Sequence, residues 1–192
     1  DGELVRRLRA AGAVIIARTT MPEFGQFPFT ESIRYGVTRN PWDPSRSPGG
    51  SSGGSAVAVA TGVAPIGLGA DGGGSIRIPA SACGLVGLKP TRGRVSLAPL
   101  AQHWYGLVVA GGMTRTVADS ALLLDVIAGS TAVDRWQWPA EQQPFVGHRA
   151  VHRMRGEQPH TQGADDPAHE VDAHDVQGVV VAQLALQAGG AE

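Results

Sequence analysis

Leu4, Val5 and Leu8 recur on one side of a helical wheel, with Arg6, Arg7 and Arg9 off that stripe. The spacing predicts a helix over the opening residues, stopped at Gly12. "AVIIA", Ala13 to Ala17, is an unbroken apolar run and predicts a short, fully buried strand. Pro22, Pro28, Pro41, Pro44 and Pro48 then block long regular elements, so residues 19–48 read as loop. From Gly49 to Gly62, "GGSSGGSAVAVATG" is a glycine-serine loop running into a small-residue helix. "APIGLGAD" predicts a short apolar strand leading into Gly72, Gly73 and Gly74. Thr116 with Asp119 forms a capping box before "VADSALLLDVIAG", an amphipathic helix ending at Gly129.

The pattern changes near residue 131. No period of helix or strand survives beyond it until "GVVVAQLALQA", and His148, His152, His160, His169 and His174 all lie in this part. We therefore divide the chain into a core over residues 1–130 and a divergent tail over 131–192. Such a tail is predicted to be poorly ordered, because its apolar content does not offset the entropy of fixing it. The helix-strand-glycine alternation of the core indicates an α/β fold, a mixed sheet covered by helices.

Composition narrows the function classes. A formal net charge of −1 gives no footprint for nucleic acid. Cys83 is the single cysteine, which excludes an intrachain disulfide and favours a reducing, cytoplasmic setting. Neither a membrane-spanning apolar run nor a signal peptide is visible. Of 16 basic side chains, Lys89 alone is lysine.

The chemistry points to two loops. Gly49-Gly50-Ser51-Ser52-Gly53 fits the nucleophile-elbow pattern formally, but that elbow needs a strand directly before it, where Pro44 and Pro48 stand. Neither glycine run is followed by the lysine of a phosphate loop. A helix after Ser51 and a returning strand before Ser75 would bring both serines to one end of a sheet. A tight turn normally needs one glycine. Three in a row before Ser75 instead suggest a nest of backbone N–H groups, from Gly72, Gly73, Gly74 and Ser75, suited to a developing oxyanion.

"GGSSGGSAVAVATG…PIGLGADGGGSIRIPASACGLVGLKPTRGRVS" resembles the signature of the amidase signature hydrolases, a family that includes bacterial amidases and the A subunit of glutamyl-tRNA amidotransferase. The resemblance extends through "AGAVIIARTTMPEFG", "NPWDPSRSPGG" and "MTRTVADSALLLDVIAG". It implies hydrolysis of a small carboxylic amide through an acyl-enzyme on Ser75, with Ser51, preceded by a cis peptide bond, relaying the proton. It implies an oxyanion hole at Gly72, Gly73, Gly74 and Ser75, supporting roles for Ser52, Asp71 and Arg77, and neither metal nor organic cofactor. The family's basic lysine maps upstream of "AGAVIIARTT". Lys89 matches a non-catalytic lysine, and Arg18 cannot act as a base because arginine keeps its proton. The chain as given is thus expected to be nearly inactive. A catalytically inert remnant, its tail replaced by a shift of reading frame, and an amidotransferase subunit are the alternatives. The substrate amide and the oligomeric state are not legible.

Weaker candidates remain. His103 with Trp104 and Tyr105 can line a pocket or pack a loop. Cys83 has no basic neighbour in sequence and reads as core rather than as a nucleophile. His169 and His174 sit five apart, about 140° around a helix, and so cannot share a metal.

Overall fold

The computed structural model describes residues 1–141, 143–146 and 179–183, the last group as backbone. The elements are helix α1 (Glu3–Ala10), strand β1 (Val14–Arg18), the two-residue strands β2 (Glu31–Ser32) and β3 (Gly36–Val37), α2 (Gly53–Ala60), β4 (Ile66–Asp71), α3 (Arg77–Cys83), β5 (Val86–Leu88), β6 (Val109–Thr114), α4 (Val117–Ile127) and β7 (Val179–Gln183). β2 and β3 form a small hairpin, and the other five strands form a sheet in the order β1-β7-β4-β6-β5. Its pairings are antiparallel, and the longest ladder runs from Ile66↔Thr114 to Asp71↔Val109. The expected helix-covered sheet is present.

Alternation along β4 divides the core into two faces, because successive side chains of a strand point to opposite sides. Ile66 and Leu68 enter a cluster with Leu8 of α1, Ala110 of β6, and Leu123, Leu124 and Ile127 of α4. Gly67 and Gly69 face the other way. A Cβ on Gly69 would lie 2.5 Å from Ser52 Oγ, so glycine is what lets the serine loop ahead of α2 rest directly on the strand. Beyond that face, Ala56 of α2, Ile76, Ala80 and Cys83 of α3, and Met113 of β6 form a second cluster.

α4 begins as its sequence predicts. The Asp119 N–H donates to Thr116 Oγ1 at 3.1 Å, while the Thr116 hydroxyl donates to Asp119 Oδ2 at 2.6 Å. Thr116→Ala removes an N-cap that occupies one of the orphan donors of the first turn. It should lower stability by about 1 kcal/mol, read as a shift in urea midpoint with unchanged slope. The other end of α4 falls close to the expected Gly129, but its cap comes from a distant residue. Arg7, which the sequence left as a polar flank of α1, donates through Nη1 to the carbonyls of Ile127, Ala128 and Gly129. Glu3 accepts from Arg7 Nε at 2.7 Å, and this bond together with that from Arg6 holds its carboxyl down to about 2. A cation here complements the partial negative charge of the helix C-terminus.

Two expectations need correction or restriction. β1 lies where predicted, shifted by one residue, but it is not fully buried: Val14 is 55% and Ile16 44% exposed. The strand lies at the sheet edge, and the length of an apolar run does not report whether both of its faces are covered. Most of the 131–192 tail lies outside the described residues. Its returning apolar run does supply β7, which pairs with β1 on one side and β4 on the other.

Candidate active site

The two glycine-rich loops meet. Ser52 N–H donates to the Ser75 carbonyl at 3.2 Å, linking segments twenty-four positions apart in numbering from Ser51 to Ser75. The Gly50–Ser51 peptide bond is cis. Ser51 and Ser52 are each only 4% exposed, and Ser75 is half-buried. The loop is clamped from outside by residues 19–30. Thr30 Oγ1 donates to the Gly49 carbonyl at 2.8 Å, and a Cβ on Gly50 would lie 2.5 Å from the Phe29 carbonyl oxygen. The proline-rich stretch read as loop therefore has a structural task.

The segment from Asp71 to Arg77 is organised by one carboxylate. Asp71 is 0% exposed. Its Oδ1 accepts from Gly74 N–H at 2.8 Å and Arg77 Nη2 at 3.0 Å; Oδ2 accepts from Arg77 Nε at 2.9 Å and from the Ile76 and Arg77 amides at 3.3 Å. Lys89 Nζ stands 3.3 Å from Oδ1. Burial by itself pushes this carboxyl up, but the Arg77 guanidinium, the Lys89 charge and the amides outweigh it and hold it well below the usual carboxylate range. Asp71 and Arg77 together hold the course of the turn from 71 to 77.

The amides differ from expectation in one respect. Of the four N–H groups assigned to an oxyanion, that of Gly74 is already donated to Asp71. Those of Gly73 and Ser75 have no protein acceptor among the described residues. Two of the three glycines also have separate reasons. Gly74 has φ +127°, which an L-residue adopts only under strain, and a Cβ on Gly72 would meet Trp104 and Val108 at 3.1 Å. A Cβ on Gly73 would meet no described atom within 4 Å.

Other candidates fall into place. Trp104, of the His103-Trp104-Tyr105 group, abuts the glycine loop at Gly72. His103 is half-buried and edge-on to Trp104, with ring centroids 6.5 Å apart, and burial lowers its pKa. Cys83 is 1% exposed, and burial pushes its thiol up to about 11, which makes it a core residue and a poor nucleophile. His169 and His174 lie outside the described residues. Among the described residues no group of three or more His, Cys, Asp or Glu side chains could hold a metal. No described helix is long and apolar enough to cross a membrane.

Sequence reading missed Asn40 and Trp42 as anchors. Asn40 Nδ2 donates to the Ala82 carbonyl at 2.9 Å and Trp42 Nε1 to that of Cys83 at 2.8 Å, fixing the C-terminal end of α3, the helix that follows Ser75. The signal available was "NPW" itself, a proline flanked by an amide and an indole. A cavity of about 450 Å³ lies between α1, β1, β4 and residues 96–100; neither Ser51 nor Ser75 lines it.

Comparison with known proteins agrees on one family. The family model described as Amidase matches residues 1–156. AmiB2 of Mycobacterium tuberculosis, which carries an amidase name, is 64% identical over 125 residues, covering 65% of this chain and 27% of that protein. The solved structure of 6-aminohexanoate cyclic dimer hydrolase complexed with substrate superposes with a TM-score of 0.74 at 46% identity, over 77% of this chain and 31% of that one. Peptide amidase from Stenotrophomonas maltophilia gives a TM-score of 0.68 at 43% identity, over 76% and 31%. The chain thus spans under a third of AmiB2.

Proposed function

Because the chain belongs to the amidase family, a match that runs from residue 1 to 156, we propose that it carries the acyl-transfer centre of an enzyme that hydrolyses a small carboxylic amide. Ser75 Oγ attacks the amide carbon and the carbonyl oxygen becomes an oxyanion, received by the N–H groups of Gly73 and Ser75, with that of Gly72 beside them. The Gly74 amide serves indirectly, since its bond to Asp71 sets the curvature of the turn. Ser51 relays the proton: its hydroxyl accepts the proton of Ser75 while its own passes to the departing amine or ammonia. Water then releases the acid from Ser75. Ser52 supports the pair, its N–H tying its loop to the Ser75 carbonyl. That bond, 3.2 Å long and beside the cis Gly50–Ser51 peptide, is the observation that carries the reading. The chemistry needs no metal or organic cofactor, and the lone buried Cys83 suits a cytoplasmic protein.

A serine attacks well only when a base removes its proton. Within these 192 residues lysine occurs once. Lys89 donates to the Asp71 and Gly72 carbonyls, to the Leu107 carbonyl and to the Asp71 carboxylate, so it is a held ammonium with no lone pair to offer. The 192-residue chain on its own is therefore a feeble amidase. The test is a fluorophosphonate in large excess, with the adduct located by mass spectrometry. The expected outcome is slow labelling at Ser75 that Ser75→Ala abolishes. Labelling within seconds at neutral pH would overturn the missing base. An adduct elsewhere, or none after prolonged exposure, would overturn Ser75 as nucleophile.

A further inference from the structure

The resemblance gives Lys89 no catalytic role, yet its ammonium holds two successive carbonyls at the start of the glycine loop. Lys89 Nζ donates to the carbonyl oxygen of Asp71 at 2.5 Å, to that of Gly72 at 3.0 Å and to that of Leu107 at 3.1 Å, and it stands 3.3 Å from Asp71 Oδ1. Two of these acceptors are consecutive peptide carbonyls. A trans peptide is planar, with its C=O and N–H on opposite sides. A cation that draws the Asp71 and Gly72 carbonyls to one side therefore turns the Gly72 and Gly73 N–H groups to the other. A Cβ placed on Gly73 would meet no described atom within 4 Å, so the turn has room beside that residue. Glycines resist such rotation least, since no Cβ limits their φ and ψ. Without an external hold these peptides could rotate and put carbonyl oxygens where donors are required.

We propose that Lys89 is a positioning residue for the oxyanion site: it pins two peptide carbonyls so that the amides of Gly72 and Gly73 face the reacting carbonyl at Ser75. The assignment rests on Ser75 being the nucleophile. Lys89 acts with Asp71 on the same turn from the same side, the carboxylate fixing the Gly74 amide inward and the ammonium fixing the two preceding amides outward. The Leu107 carbonyl ties this arrangement to the segment that carries Trp104.

The test compares the full chain with Lys89→Met, which keeps length and removes the charge, and Lys89→Gln, which keeps an uncharged N–H donor. Each is exposed to excess fluorophosphonate, whose phosphoryl oxygen occupies the oxyanion position in the adduct. Two quantities are read: the labelling rate at Ser75, and the downfield shift of the Gly72 and Gly73 amide protons on adduct formation. Lys89→Met should label about 100-fold more slowly, the loss typical of removing an oxyanion donor, and should lose the amide shift. Lys89→Gln should fall less and retain part of the shift, and it serves as the test where the Met variant does not fold. Native labelling rates and full amide shifts in both variants would overturn the assignment. A merely structural lysine would change the unfolding midpoint but leave the amide shifts of the folded adduct in place, which also overturns it. Failure of the parent chain to form any Ser75 adduct would instead remove the reading of Ser75, and this inference with it.

Discussion

Asp71→Ala should destabilise the chain by about 3 kcal/mol, measured by urea unfolding at neutral pH, the lower end of what breaking a buried ion pair costs. The lower end applies because Arg77 is 53% exposed and can turn to water once its partner is gone, whereas Lys89, 26% exposed, stays beside carbonyls. The loss also strands three amides, those of Gly74, Ile76 and Arg77, which have their acceptor in the carboxylate. The same group gives a pH signature of defined sign. Its folded pKa lies below the ordinary 3.8, so the unfolded chain binds the proton more readily. Its contribution is then complete above that value and is lost progressively as the pH falls below it. The stability difference between the parent and Asp71→Asn should be flat at neutral pH and shrink in acid below about pH 4. A difference that stays constant down to acid unfolding would show that the carboxylate is not held in its charged form.

Leu123→Ala should cost about 3–5 kcal/mol, the upper part of the range for emptying a leucine site. Leu123 is 2% exposed and joins α1, β4 and β6 through its cluster with Leu8, Ile66, Leu68 and Ala110. Its position is set by a vacancy in the sequence opposite it. A Cβ on Gly112 of β6 would lie 2.5 Å from Leu123 Cδ2, so the leucine occupies the room that the glycine leaves. After truncation both positions are small and the sheet backbone cannot follow. Gly112→Ala alone should therefore destabilise by overpacking, while the double variant Leu123→Ala/Gly112→Ala should lose clearly less than the sum of the two. Simple additivity within about 0.5 kcal/mol would mean that the two sites do not share one space.

Local pattern carried much of the fold. The capping box at Thr116 and Asp119, the small-residue helix after Ser52 and the apolar strand before Gly72 all appear within a few residues of where periodicity puts them, because each is set by neighbours in the chain. β6 was not anticipated: "VAGGMT" holds two glycines that weaken any strand pattern, and what explains them is distant in sequence, the Leu88 carbonyl oxygen of β5 against Gly111 and Leu123 of α4 against Gly112. The partnership of β1 with β7 joins residues more than a hundred and sixty positions apart, and no local rule reports it. Arg7 is similar, a flanking charge in sequence that serves as the end-cap of a distant helix.

For the candidate site, residue order alone supplies the inventory: two serines, a run of three glycines, an aspartate and an arginine in one signature, with a single lysine in the whole chain. Their duties come from the packing of distant segments. It turned the Gly74 amide to Asp71 and left those of Gly73 and Ser75 without an acceptor among the described residues. It also placed Lys89 against carbonyls seventeen and eighteen positions away. The reason is physical: composition and period fix which peptides are free to rotate, but the direction a glycine N–H takes depends on which distant donors and acceptors capture the peptides around it.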